Sequence, residues 1–156
     1  MSCALDHGYR LAYRAGFVAA RGWWFLRRPP HEGVLVAIWV RDRVLVVRQS
    51  YRQTLCSPGG GVNRGETPAA AAVRELSEEI GLAVAPGALD LAYEATKPWD
   101  YRLDHVQIFE LRLDTEPTLR IDNREIVAAR FVPADACEGA RMNPFVAEYL
   151  ASHSCG

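Results

Sequence analysis

The chain has 156 residues, 49% hydrophobic and 24% charged, with 18 basic side chains against 19 acidic ones and a net charge of -1. That length suits one domain, and the balanced charge excludes a strong field that would draw the protein to nucleic acid or to an anionic membrane. Cys3, Cys56, Cys137 and Cys155 are scattered without metal-ligand spacing, so they read as reduced thiols of a cytoplasmic protein.

Residues 5–28 carry a helical pattern. Tyr9, Tyr13, Phe17, Ala20 and Trp24 recur at three- and four-residue steps, with Arg10, Arg14 and Arg21 off that stripe. The arginines break every apolar stretch, which excludes a signal peptide, and no apolar run approaches the ~20 residues of a membrane span. A basic, aromatic helix also suits a membrane surface. The favoured reading is a helix packed on the domain or on a second subunit, which would make a homodimer. Pro29-Pro30 ends it.

Two β-branched strands follow, 33–40 and 43–49, joined by Arg41-Asp42 as a hairpin. A short extended piece, QTLCS, leads to Pro58 and the glycine-rich loop GGGVNRGE. Thr67 and Pro68 cap and open a helix, AAAAVRELSEEI, that stops at Gly81. Beyond Pro86-Gly87 the pattern predicts a strand near 88–95, a loop KPWDYR over 97–102, a strand near 103–113 and a last strand over 125–133. Asn143-Pro144 opens a C-terminal helix. This order specifies a mixed α/β or α+β fold.

The helix after the glycine loop is electrostatically odd. At ~100° per residue, Glu79 lies about 40° from Glu75, and Glu78 about 60° to the other side. Like charges so placed repel by a few tenths of a kcal/mol per pair. An acidic solvated face would interleave basic residues, but only Arg74 is near. A site for a hard divalent cation, which prefers carboxylate and carbonyl oxygens, explains the cluster. A glycine-rich loop just before it can aim backbone groups inward, so the two together suggest a metal-and-phosphate pocket.

Residues 60–82, GGVNRGETPAAAAVRELSEEIGL, resemble the Nudix box, G-x5-E-x7-R-E-U-x-E-E-x-G-U with U apolar. Gly60, Glu66, Arg74, Glu75, Leu76, Glu78, Glu79, Gly81 and Leu82 fill every specified position. The order of flanking elements also resembles the Nudix fold, a mixed β-sheet sandwiched between helices. The resemblance implies a Nudix hydrolase domain over 31–156, with residues 1–30 as an extra N-terminal helical extension.

The resemblance further implies hydrolysis of a nucleoside diphosphate linked to another group X, a small-molecule substrate, with Mg²⁺ or Mn²⁺. Glu75, Glu78 and Glu79 match metal ligands, and Gly60 a glycine whose carbonyl can join them. Arg74 matches a residue that orients the carboxylates, and Glu66 an outer partner. The general base is either a box glutamate or an acid outside the box. Glu125 is the leading outside candidate, ahead of Glu94, Asp100 and Glu110. Trp99, Tyr101 and Tyr51 are candidates for stacking on a base, and Lys97, Arg102 and Arg52 for phosphates. His105 reads as structural. Two other readings stay open: a nucleotide-sensing module without turnover, and a prenyl-diphosphate isomerase that would draw on Cys56.

Overall fold

The computed structural model of the chain describes residues 2–27, 30–121, 123–137 and 139–153. The elements run α1 (Ser2–Arg27), β1 (Pro30–Val40), β2 (Arg43–Gln49), β3 (Leu55–Cys56), β4 (Gly59–Gly61), α2 (Pro68–Ile80), β5 (Asp90–Trp99), β6 (Arg102–Leu113), β7 (Ile126–Pro133) and α3 (Pro144–His153). Pro29, expected to help end the first helix, and Cys155 lie outside the described residues, as does the side chain of Cys3. Cys56 and Cys137 are free and buried.

One seven-stranded sheet has the order β3-β2-β1-β6-β5, with β4 added to β1 and β7 to β2. It is mixed: β1 and β6 run parallel from Pro30↔Leu103 to Val40↔Leu113, and the other pairs are antiparallel. Both faces of β1 are covered, so Val34, Val36, Ala37 and Ile38 are almost fully buried.

The sheet is forked. β1 and β2 pair only beside their turn, at Trp39↔Val44 and Val40↔Arg43. Arg41 makes that turn with φ 58. Beyond it the strands part, β3 continuing along β2 and β4 along β1. The segment expected as a glycine loop is therefore partly strand: Gly59, Gly60 and Gly61 face Leu35, Val34 and Gly33.

The loop expected over 97–102 is also strand. β5 runs to Trp99, β6 starts at Arg102, and these two residues are paired. Only Asp100 and Tyr101 turn, with φ 47 and 65, as a two-residue hairpin requires. Lys97, Trp99 and Arg102 thus sit on a rigid ladder.

α2 lies against β4 and β1, burying Ala71, Ala72, Leu76 and Ile80. α3 lies against β6 and buries Phe145, Val146, Tyr149 and Leu150. A polar relay ties α3 to the sheet: Trp39 Nε1–H donates to the Tyr149 hydroxyl at 2.8 Å, which donates to Glu110 at 2.6 Å.

α1 differs in kind. None of its described side chains is buried. Side chains hold it in place: Arg10 and Arg14 donate to the carbonyls of Asn123 and Ser50, at 2.7 and 3.0 Å. Arg21 lies 3.4 Å from Asp100, and Arg124 3.3 Å from Asp6. Its outward side exposes Leu11, Val18 and Leu26.

The relay generates a stability prediction. Tyr149→Phe leaves Trp39 Nε1–H without its acceptor and removes a donor from Glu110, so it should cost about 1–3 kcal/mol. Urea denaturation checks this, and an unchanged midpoint would contradict it.

Candidate active site

The fork in the sheet opens onto a cavity of about 760 Å³. Its walls come from the start of β1, the glycine strand β4, one face of α2, the ends of β5 and β6, and the inner side of α1.

The acidic wall depends on how α2 is built. Thr67 is extended, with φ -80 and ψ 151, and its hydroxyl accepts from Ala70 N–H at 3.2 Å. Pro68 opens the helix, and Gly81 closes it in the left-handed region at φ 67. With both ends fixed, Glu75 and Glu78 line the cavity. Glu79 is buried instead, its side-chain oxygen accepting from Gly59 N–H at 2.8 Å. It therefore ties the glycine strand to the helix.

Two glycines are demanded by space. Gly59 has φ 149, and a Cβ there would stand 2.1 Å from the Val34 carbonyl oxygen. A Cβ at Gly60 would stand 2.4 Å from Glu75 Oε1. The backbone at Gly60 is thus pressed against a carboxylate oxygen, and the two sit together on the cavity wall.

Arg74 holds this cluster together. It donates from Nε and Nη2 to both oxygens of Glu66, at 3.0 and 3.1 Å. Nη1 reaches Glu75 at 2.6 Å and Glu78 at 3.3 Å, and Nη2 also reaches the Gly61 carbonyl at 2.9 Å. These bonds hold Glu66 below the usual carboxylate range. Burial raises Glu75 above it, and Arg74 offsets only part of that rise. Among the described residues, no three His, Cys, Asp or Glu side chains converge tightly enough to hold a metal as they stand. The reason is visible: Arg74 occupies the charge between the glutamates, and Glu79 is turned to Gly59.

Across the cavity, Glu125 also lines the wall and accepts from the Tyr51 hydroxyl at 2.7 Å. Burial, then Glu125, push the Tyr51 phenol far above its ordinary pKa, so it stays a donor. Tyr51 stacks with Tyr13 of α1 at 6.1 Å and meets Phe17 at 4.9 Å. Arg52 lies 4.6 Å over Phe17 and pairs with Asp100 at 2.6 Å. Arg102 lies 3.9 Å over Trp24. The aromatic stripe of α1 is therefore the roof of the cavity.

Of the residues expected to bind substrate, Tyr51, Arg52, Trp99 and Arg102 line this cavity. Lys97 and Tyr101 do not. Lys97 pairs with Glu148 of α3 because its strand position turns it towards that helix. Tyr101, at the hairpin tip, is half-exposed and packs on Phe25. Among the other acids weighed as a base, Glu110 is held by Tyr149, Arg112 and His153, and Glu94 by His105 and Gln107. His105 also contacts Thr96 at 2.8 Å. Cys56 lines the cavity, but burial pushes its thiol up to about 12, so it is protonated at neutral pH.

The sequence reading missed Tyr13, Phe17 and Trp24 as pocket residues, though their stripe was visible. It also missed His31 and Asp104, which line the cavity from paired positions on β1 and β6. No spacing signal marks either.

The family model described as NUDIX domain matches residues 29–152. No curated protein is significantly similar to the chain in sequence. Among solved structures, a MutT/nudix family protein from Enterococcus faecalis is similar with a TM-score of 0.60 and 18% identity, over 65% of this chain and 43% of that one. The E. coli dihydroneopterin triphosphate pyrophosphohydrolase is similar at 0.67 and 22%, over 78% and 92%. A bifunctional NMN adenylyltransferase/ADP ribose pyrophosphatase from Francisella tularensis, complexed with AMP and a Mn ion, is similar at 0.68 and 17%, over 94% and 48%. The chain thus spans less than half of the first and third of these proteins. These likenesses bear out the mixed α+β fold.

His31 supplies a pH prediction. Burial, then Arg102, lower its pKa below the ordinary 6.5, with Asp104 and Glu32 opposing. Folding therefore favours the neutral ring. That contribution is complete above about pH 6.5 and is lost as pH falls, because the unfolded state then binds more protons. The urea midpoint should drop between about pH 7.5 and 5.5, and drop less in His31→Gln. Equal drops in both proteins would refute the assignment.

Proposed function

The chain belongs to the NUDIX domain family, and on that premise we propose that it hydrolyses the diphosphate bridge of a nucleoside diphosphate linked to another group, using Mg²⁺ or Mn²⁺. The observation that carries the reading is one cavity with carboxylates on one wall and aromatic rings with arginines on the other. Such a cavity suits a ligand with a polyanionic middle and a flat, ring-bearing end.

The donor set fits a hard divalent cation. Glu75 and Glu78 offer carboxylates beside Gly60, whose backbone is packed against Glu75 with no room for a side chain. Glu75, Glu78 and the Gly60 carbonyl would hold the ion, with Glu79 behind them fixing the glycine strand. A bound divalent ion neutralises phosphate charge and lowers the pKa of water.

The chain's own groups do the rest. Arg74 keeps Glu75 oriented and balances the cluster's charge in the absence of a cation. Its bond to the exposed Glu78 is the weakest of its contacts and the first to yield. Glu125 is held by Tyr51 on one oxygen and can accept a proton from water on the other side of the cavity from α2. Arg52 brings positive charge towards the phosphates, and Trp24 and Phe17 supply faces for a ring. The buried, protonated thiol of Cys56 speaks against thiolate chemistry at this site.

A panel of ADP-ribose, nucleoside triphosphates, NADH, nucleotide sugars and dinucleoside polyphosphates, with and without Mg²⁺, tests the reading. Metal-dependent turnover of at least one diphosphate is expected, falling about 100-fold or more in Glu78→Gln. Full activity in that variant would refute the reading.

Trp24→Ala should raise KM about tenfold through loss of stacking while kcat changes little. Its melting temperature should barely move, since α1 buries no described side chain. An unchanged KM would place the ring outside the substrate's path.

A further inference from the structure

One corner of the cavity is built differently from the rest. His31, Trp99, Arg102 and Asp104 lie together on one face of the sheet, where His31 pairs with Asp104 and Trp99 with Arg102 along the strands. The side chains of Asp104 and Arg102 are only 5% and 10% exposed. Arg102 Nη2 donates to Asp104 Oδ2 at 2.9 Å, which fixes both groups.

Four buried polar atoms of this cluster have no hydrogen-bond partner. They are Asp104 Oδ1, Arg102 Nε, Trp99 Nε1 and His31 Nδ1. His31 Nδ1 lies 3.9 Å from Asp104 Oδ1, beyond hydrogen-bond reach. Buried polar atoms are normally satisfied, so an acceptor, two donors and a ring nitrogen left over in one corner of a cavity call for a ligand. The pattern specifies it. A charged oxygen needs an N–H, and two N–H donors beside it need an acceptor with room for both. A carbonyl oxygen carries two lone pairs, whereas an imine-type ring nitrogen has one.

Resting on the nucleotide-hydrolase reading above, we propose that Asp104, Arg102 and Trp99 form a base-reading subsite. It selects a ring N–H beside a carbonyl, the lactam edge of guanine, hypoxanthine and uracil, over the amino–imine edge of adenine and cytosine. Asp104 Oδ1 accepts from the ring N–H, and Arg102 Nε and Trp99 Nε1 share the carbonyl oxygen. Trp24, stacked over Arg102, closes the corner from the α1 side. A site with fixed polar groups rejects a base that leaves them unpaired, so the selection follows from the same burial that makes these atoms conspicuous.

The test separates binding from turnover. Tryptophan quenching would follow the binding of GMP, IMP, UMP, AMP and CMP to the full chain with chelator present. Turnover of the matching triphosphates would be followed separately with Mg²⁺. GMP or IMP, or UMP if the corner reads pyrimidines, should bind at least about tenfold tighter than AMP and CMP. In Asp104→Asn, Arg102 keeps the amide oxygen and the NH₂ faces the ligand, so the preference should collapse or invert. Trp99→Phe keeps the ring but loses the N–H, and should cut the preference severalfold. It serves if Asp104→Asn does not fold. Equal binding of all five nucleotides, or a preference unmoved in both folded variants, overturns the subsite. A lactam preference with no turnover of any diphosphate in the wider panel upholds the subsite and refutes the hydrolase reading; turnover without base preference does the reverse.

Discussion

Charge balance around Arg74 is the constraint on which the acidic wall depends. A helix face carrying Glu75, Glu78 and Glu79 would repel itself, and Glu66 adds a fourth carboxylate next to it. One guanidinium reaches Glu66, Glu75 and Glu78 and also the Gly61 carbonyl. Arginine alone has enough donors in a fixed plane to do this, and lysine would satisfy only part of the set. Glu79 is settled differently, by the Gly59 backbone. Glycine strand and helix are therefore fastened to each other twice.

Local chemistry made much of this legible in the sequence. Thr67, Pro68 and Gly81 mark the ends of α2 because caps act within one turn. The β1–β2 hairpin follows from two branched strands with two residues between them. Long-range pairing was not legible. Gly59–Gly61 is a strand only because it meets Gly33–Leu35, far back in the chain. Likewise KPWDYR has turn-like composition, yet its ends are strand because Asp100 and Tyr101 accept positive φ and let Trp99 and Arg102 pair.

The site was half legible for the same reason. The acidic residues announce themselves by spacing along one helix. The opposite wall is assembled from β1, β5, β6 and α1, whose residues are far apart in sequence. Asp104 reads as one polar residue in an alternating strand, and only the register with His31 and the packing of Arg102 show that it is buried. Glu79 was legible as a box residue, but its turn towards Gly59 was not.

The manner in which α1 is attached has a consequence for how this protein can change. The helix roofs the cavity with Tyr13, Phe17 and Trp24, yet it touches the domain through exposed and half-exposed side chains. Residues that shape the ligand's surroundings here contribute little to the core. Substitutions along this helix can therefore retune what the cavity admits with little loss of folding free energy. Elsewhere in the cavity, on β1 or α2, the same residues serve both ends, and selectivity and robustness cannot be altered separately.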